Sequence, residues 1–85
     1  MQTDGPPKLT VYSRAYCHLC EEMIEALRSL QGLVRFEIVV IDVDSNPELE
    51  RRFGEKVPVL MHGTRELCRY RLDFAAVTAY LSEFR

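Results

Sequence analysis

The sequence predicts an α/β domain: a four-stranded mixed sheet with helices on both faces, in the order β-α-β-α-β-β-α. Three observations carry that prediction. Runs of β-branched and aromatic residues alternate with stretches whose apolar residues recur every three or four positions. Glycine, proline and asparagine stand between those runs, where turns and caps want them. The last two strand-like runs are separated only by His62-Gly63-Thr64, a hairpin connection, so the sheet is mixed rather than all parallel.

Lys8 to Ser13 is rich in strand formers and gives the first strand. A short loop through Arg14, Ala15 and Tyr16 leads to a helix that begins at the first cysteine pair. Leu19, Met23, Ala26, Leu27 and Leu30 mark its apolar face, and Glu21, Glu22, Glu25 and Arg28 its polar face. Gly32 stands just past its end, where a left-handed cap is expected. Val34 to Val43 is nearly continuous apolar sequence, which predicts a strand buried on both faces. The first two strands, joined through a helix, imply a right-handed parallel unit.

Ser45-Asn46-Pro47 is a helix start, with Asn46 as cap and Pro47 in the first turn. That helix is short, with Leu49 and Phe53 on one face and Gly54 at its end. Pro58 to Met61 and Arg65 to Tyr70 form the hairpin. Asp73 caps a last helix, with Phe74, Val77, Leu81 and Phe84 as its apolar stripe.

Eighty-five residues, 47% hydrophobic and 28% charged, fit one globular domain over residues 8–85. Met1 to Pro7 has neither a basic region nor an apolar stretch; it is expected to be a flexible lead-in and not a secretory signal. A net charge of −2 gives no reason to expect a nucleic-acid partner. No apolar run approaches the ~20 residues of a membrane span. Three cysteines are too few, and odd in number, for a secreted disulfide scaffold. A cytoplasmic monomer is the expectation.

The strongest chemical signal is Cys17-His18-Leu19-Cys20 at the strand-to-helix junction. A thiol attacks a disulfide only as its thiolate, and unpaired N–H groups at a helix start favour an anion. Cys17 sits at that start and is the candidate nucleophile. Cys20, one turn inside, can reach back and break a mixed disulfide. Two rivals stay open. Two unrelated core cysteines are the bland one, and a zinc site of Cys17, Cys20, His62 and Cys68 is the other, although the second pair lacks close spacing.

Around the pair, Arg14 is either a cation supporting the thiolate or a solvated loop charge. His18 favours the thiolate when protonated, whereas Glu21 and Glu22 oppose it. Tyr16 either shapes the rim of the site or covers the end of the sheet. Cys68 reads as a buried strand cysteine and His62 as an exposed turn residue. Arg65, Arg69 and Arg71 make one edge of the hairpin basic.

The stretch Leu9-Thr10-Val11-Tyr12-Ser13-Arg14-Ala15-Tyr16-Cys17-His18-Leu19-Cys20 resembles the active-site strand of glutaredoxins, where Tyr-Ser and a basic residue precede Cys-Pro-Tyr-Cys. Val57-Pro58-Val59-Leu60 resembles the loop whose proline is cis across the thioredoxin superfamily. The resemblance runs from about Lys8 to Leu81 and implies a thioredoxin-like fold of the glutaredoxin type. It implies a cis Val57–Pro58 bond with Val57 presented to an extended substrate. It also implies a thiol–disulfide oxidoreductase that reduces protein disulfides or glutathionylated substrates. Such a protein needs no metal and no bound cofactor, only an external thiol reductant such as glutathione or thioredoxin.

The chain departs from the family pattern in three places. His18 and Leu19 replace Pro and Tyr. Tyr70 and Arg71 stand where glutaredoxins carry Gly-Gly, so weak glutathione binding is expected. Asp73 matches the first acidic residue of the glutathione site, while Phe74 stands in place of a second; Arg71 is a candidate contact to a carboxylate. The alternative functions are a binding module of the same fold without turnover, and a zinc or iron–sulfur protein using Cys17.

Overall fold

A computed structural model describes residues 5–83. Its elements are β1 (Lys8–Ser13), α1 (His18–Leu30), β2 (Glu37–Asp42), a 3-10 turn (Val43–Ser45), α2 (Pro47–Phe53), β3 (Val59–His62), β4 (Arg65–Arg69) and α3 (Phe74–Leu81). The sheet order is β2-β1-β3-β4. β1 pairs parallel with β2 and antiparallel with β3, and β3 with β4 is antiparallel. The mixed thioredoxin-like sheet with helices on both faces is therefore present. Of the predicted lead-in, residues 1–4 lie outside the described residues; the Glu37 N–H donates to the Pro7 carbonyl at 2.8 Å.

Strand alternation divides the interior into two cores. Leu9, Val11 and Leu60 point to one face and meet Met23, Leu27 and Leu30 of α1 with Val77 and Leu81 of α3. Val59 and Met61 point to the other and meet Val43 and Phe53. Tyr12 joins that second core by stacking on Phe53, ring centroids 4.3 Å apart. Burying each large aliphatic side chain is worth roughly 1.5–3 kcal/mol, so α1 is held chiefly by its apolar face.

Four expectations are corrected. The run Val34 to Val43 is not a strand buried on both faces: only Glu37–Asp42 is strand, it lies at the sheet edge, and Val39 and Val40 are 38% and 46% exposed. An edge position gives one hydrogen-bonding neighbour and less cover, and apolar composition alone does not reveal it. Gly32 is not left-handed; α1 ends at Gln31 in right-handed geometry, the Gln31 N–H donating to Leu27. Phe74 is half-exposed at the first residue of α3, so it leaves the stripe formed by Val77 and Leu81, and Phe84 lies outside the described residues. His62 is not a turn residue. It ends β3 half-buried, its Nδ1 2.6 Å from the Tyr80 hydroxyl oxygen.

Candidate active site

β1 delivers the chain to the end of the sheet where loop 14–16 turns it into α1. Cys17 is the N-cap of α1, in extended geometry (φ −117°, ψ 105°). Its Sγ accepts the Cys20 N–H at 3.1 Å. That bond answers one of the unpaired donors of the first turn, and in the reduced protein it aims a dipole at the sulfur. Cys17 and Cys20 form a disulfide, with Cα atoms 5.2 Å apart. Cys17 remains half-buried, whereas Cys20 is only 2% exposed. His18 is exposed at the first helical position.

Arg14 turns toward α2. Its guanidinium donates to Glu50 at 2.8 Å and lies 3.3 Å from Asp44. The Glu50 hydrogen bond is the main cause holding its pKa above the ordinary arginine value. Gly54 makes room for this: a Cβ there would stand 2.9 Å from the Arg14 terminal nitrogen and 2.5 Å from the Glu50 carbonyl. Two carboxylates on α2 and the preceding turn thus share the charge expected beside Cys17, and they tie the loop before Cys17 to the other face of the sheet.

The Val57–Pro58 bond is cis. Because Tyr12 pairs with Val59, Pro58 lies at the same sheet end as the loop that follows β1. Pro58 is buried and Val57 half-buried. The Tyr70 N–H donates to the Pro58 carbonyl at 2.8 Å, drawing the β4–α3 loop to this end. Asp73 caps α3 by accepting the Ala76 N–H at 3.0 Å, and Arg71 is exposed. Tyr16 (φ 58°) and Tyr70 (φ 70°) are both left-handed, and both rings are exposed.

The structure therefore brings Tyr16, Cys17, His18 and Cys20 together in one segment. The sheet register sets Val57 and Pro58 at that end, and the Tyr70–Pro58 bond draws the loop carrying Arg71 and Asp73 toward it. His62 does not join them: Thr10 pairs with Met61, so His62 lies toward the opposite end of β3. Among the described residues no group of three or more His, Cys, Asp and Glu side chains is placed to hold a metal ion.

Two features escaped sequence reading. The Arg14–Glu50 pair spans 36 positions, and no local pattern announces it. A left-handed tyrosine has no sequence signature, because glycine and asparagine are the residues that normally mark this geometry.

A four-stranded mixed sheet with a disulfide-forming Cys-x-x-Cys at the first helix start and a cis-proline loop defines a protein of the thioredoxin-like class. Residues 8–82 match the model of the glutaredoxin-like domain (DUF836). A Nitrosomonas europaea protein solved by solution NMR is 47% identical with a TM-score of 0.81, covering 95% of this chain and 98% of that one. An X. campestris protein solved by X-ray crystallography is 31% identical with a TM-score of 0.69, covering 91% of this chain and 99% of that one. An uncharacterized Mycobacterium tuberculosis protein is 32% identical over 72 residues, 79% of this chain and 74% of that protein. The chain belongs to the glutaredoxin-like domain family.

Proposed function

We propose that the chain is a thiol–disulfide oxidoreductase that reduces disulfides through Cys17 and Cys20. The observation that carries this reading is the placement of Cys17: helix N-cap, sulfur facing the Cys20 N–H, and more accessible than Cys20. The Cys17 thiolate attacks one sulfur of the substrate disulfide, forming a mixed disulfide and releasing the first substrate thiolate. The Cys20 thiolate then attacks Cys17 Sγ, closing the Cys17–Cys20 disulfide and releasing the second. Two electrons pass to the substrate, and the protons it needs come from the two thiols or from water.

An external thiol reductant, such as glutathione or thioredoxin, returns the pair to the dithiol. No metal or bound cofactor takes part. Pro58 and Val57 wall the groove that receives the substrate backbone, with Tyr16, His18, Arg71 and Asp73 at its rim. Arg14 supports the loop before Cys17. A reducing compartment such as the cytoplasm suits this cycle, because its thiol pool keeps the pair reduced, and the chain works as a monomer.

Alkylation of the reduced protein at about pH 6–7, followed by mass mapping, tests the assignment. Cys17 is expected to label well before Cys20. Cys17→Ser is expected to abolish disulfide reduction, and Cys20→Ser to accumulate a mixed disulfide on Cys17. Preferential labelling of Cys20 would overturn the assignment. Binding of a disulfide peptide without its reduction would favour a binding module instead.

A further inference from the structure

We propose that Glu50 and Asp44 are positioning residues that set how readily Cys17 ionises, by holding the Arg14 guanidinium away from its sulfur. This role rests on the oxidoreductase reading above, whose electron flow it regulates. Arg14 stands three residues before Cys17, so their Cα atoms are at most about 11 Å apart. A cation that close can reach a thiolate and lower its pKa. The structure points the guanidinium elsewhere, 2.8 Å from Glu50 and 3.3 Å from Asp44. Among the described residues no hydrogen bond joins Arg14 to Cys17, whose sulfur accepts the Cys20 N–H.

Two observations tie that pose to the carboxylates. The Arg14 Nε is buried without a hydrogen-bond partner. A buried unpaired donor is costly, so the pose persists because the contacts at the far end of the guanidinium outweigh that cost. Gly54 is the second. Its φ of −53° is open to any residue, yet a Cβ there would stand 2.6 Å from the Glu50 carboxylate and 2.9 Å from the Arg14 terminal nitrogen. The ion pair itself, not the backbone, excludes a side chain at that position.

Two carboxylates against one guanidinium leave this cluster net negative, so it lends Cys17 no cation. The thiolate then rests on the start of α1 alone. A low thiol pKa stabilises the reduced form and makes a disulfide more oxidising. By withholding Arg14, Glu50 and Asp44 keep the Cys17–Cys20 pair a donor of electrons.

The test follows the pH midpoint of iodoacetamide labelling at Cys17, mapped by mass in the reduced protein. Glu50→Gln combined with Asp44→Asn releases Arg14 and is expected to lower that midpoint by about one unit. Removing two negative charges lowers it somewhat by itself, so the same pair of substitutions is repeated on Arg14→Gln. There the drop is expected to be about a third as large or less, the difference being the part that Arg14 carries. Glu50→Gln alone, a milder change at an exposed position, is expected to act in the same direction and again to depend on Arg14. The other titratable or charged groups at this end of the sheet stay the same throughout: His18 and Glu21 on α1, Asp42 ending β2, Glu55 and Lys56 before Pro58, and Arg71 and Asp73 before α3. In equilibrium with glutathione, two glutathione thiols become one disulfide as the Cys17–Cys20 disulfide is reduced. The carboxylate double variant is expected to move that equilibrium toward the dithiol by up to about tenfold, or about 30 mV.

Equal drops with and without Arg14, or no drop in either, overturn the proposal. So does a rise of about a unit or more on Arg14→Gln alone, which would mean that Arg14 already serves the thiolate. Unequal drops in a protein that reduces no disulfide substrate would sink the oxidoreductase reading and leave the role of Glu50 and Asp44 standing. Equal drops in a protein that does reduce them would do the reverse.

Discussion

Cys68 sits half-buried in β4, and burial pushes its thiol up from the ordinary range while a hydrogen bond from the Asp73 backbone offsets part of that shift. A raised thiol pKa means that the folded chain holds the proton more tightly than the unfolded one. This contribution to stability is complete below the unfolded thiol range and is lost as pH rises through the folded value. In the reduced protein, iodoacetamide at neutral pH is therefore expected to modify Cys17 well before Cys68. Cys68→Ala is expected to keep the reduction rate within about twofold and to cost about 1 kcal/mol of stability. A rate loss beyond roughly tenfold, about 1.4 kcal/mol of barrier, would show that this thiol takes part. The environments of Cys17 and Cys20 were readable because helix position alone sets them. That of Tyr70 was not, because a left-handed backbone at tyrosine is imposed by the Pro58 and Arg69 carbonyls on either side of the loop.

Among the elements, α3 is a short helix with a side-chain cap. It has eight residues, and Asp73 satisfies one of its first-turn donors. Asp73→Ala is expected to cost about 1 kcal/mol, lowering Tm by some 4–8 °C for a domain of this size, while Asp73→Asn keeps the cap and most of the stability. Thermal unfolding of the two variants side by side separates capping from any contact with substrate. If both lose equally, the charge rather than the cap matters. The same chemistry made α2 legible: Asn46 accepts the Glu48 and Leu49 N–H groups and Pro47 follows in the first turn, as side-chain preference dictates. β2 was misread because an apolar run signals burial only when the neighbours on both sides of the sheet are known, and pairing order is a long-range property. His62 was misread for a related reason, since Tyr80, its partner, lies 18 positions away.

Across the whole molecule, the order β2-β1-β3-β4 lets β1 and β3 take the buried centre, and their alternating side chains supply both cores. That alternation made the general fold readable. The Arg14–Glu50 link was beyond reach, because it depends on where α2 lands against the loop before Cys17. The edge strand β2 carries a further consequence for the molecule among its own copies. Glu37-Ile38-Val39-Val40-Ile41-Asp42 presents an unpaired edge with two exposed valines at its middle. Such an edge is a template for another strand, and amyloid-like stacking begins from segments of this length and composition. The two carboxylates at its ends act as gatekeepers: stacked in register, each meets its own kind across the spacing of a hydrogen bond. Glu37→Val removes one of them and is expected to make concentrated solutions scatter light and form thioflavin-positive aggregate sooner than the wild type. Equal lag times would mean that the edge is protected by its twist instead, and that the acidic ends serve solubility only through net charge.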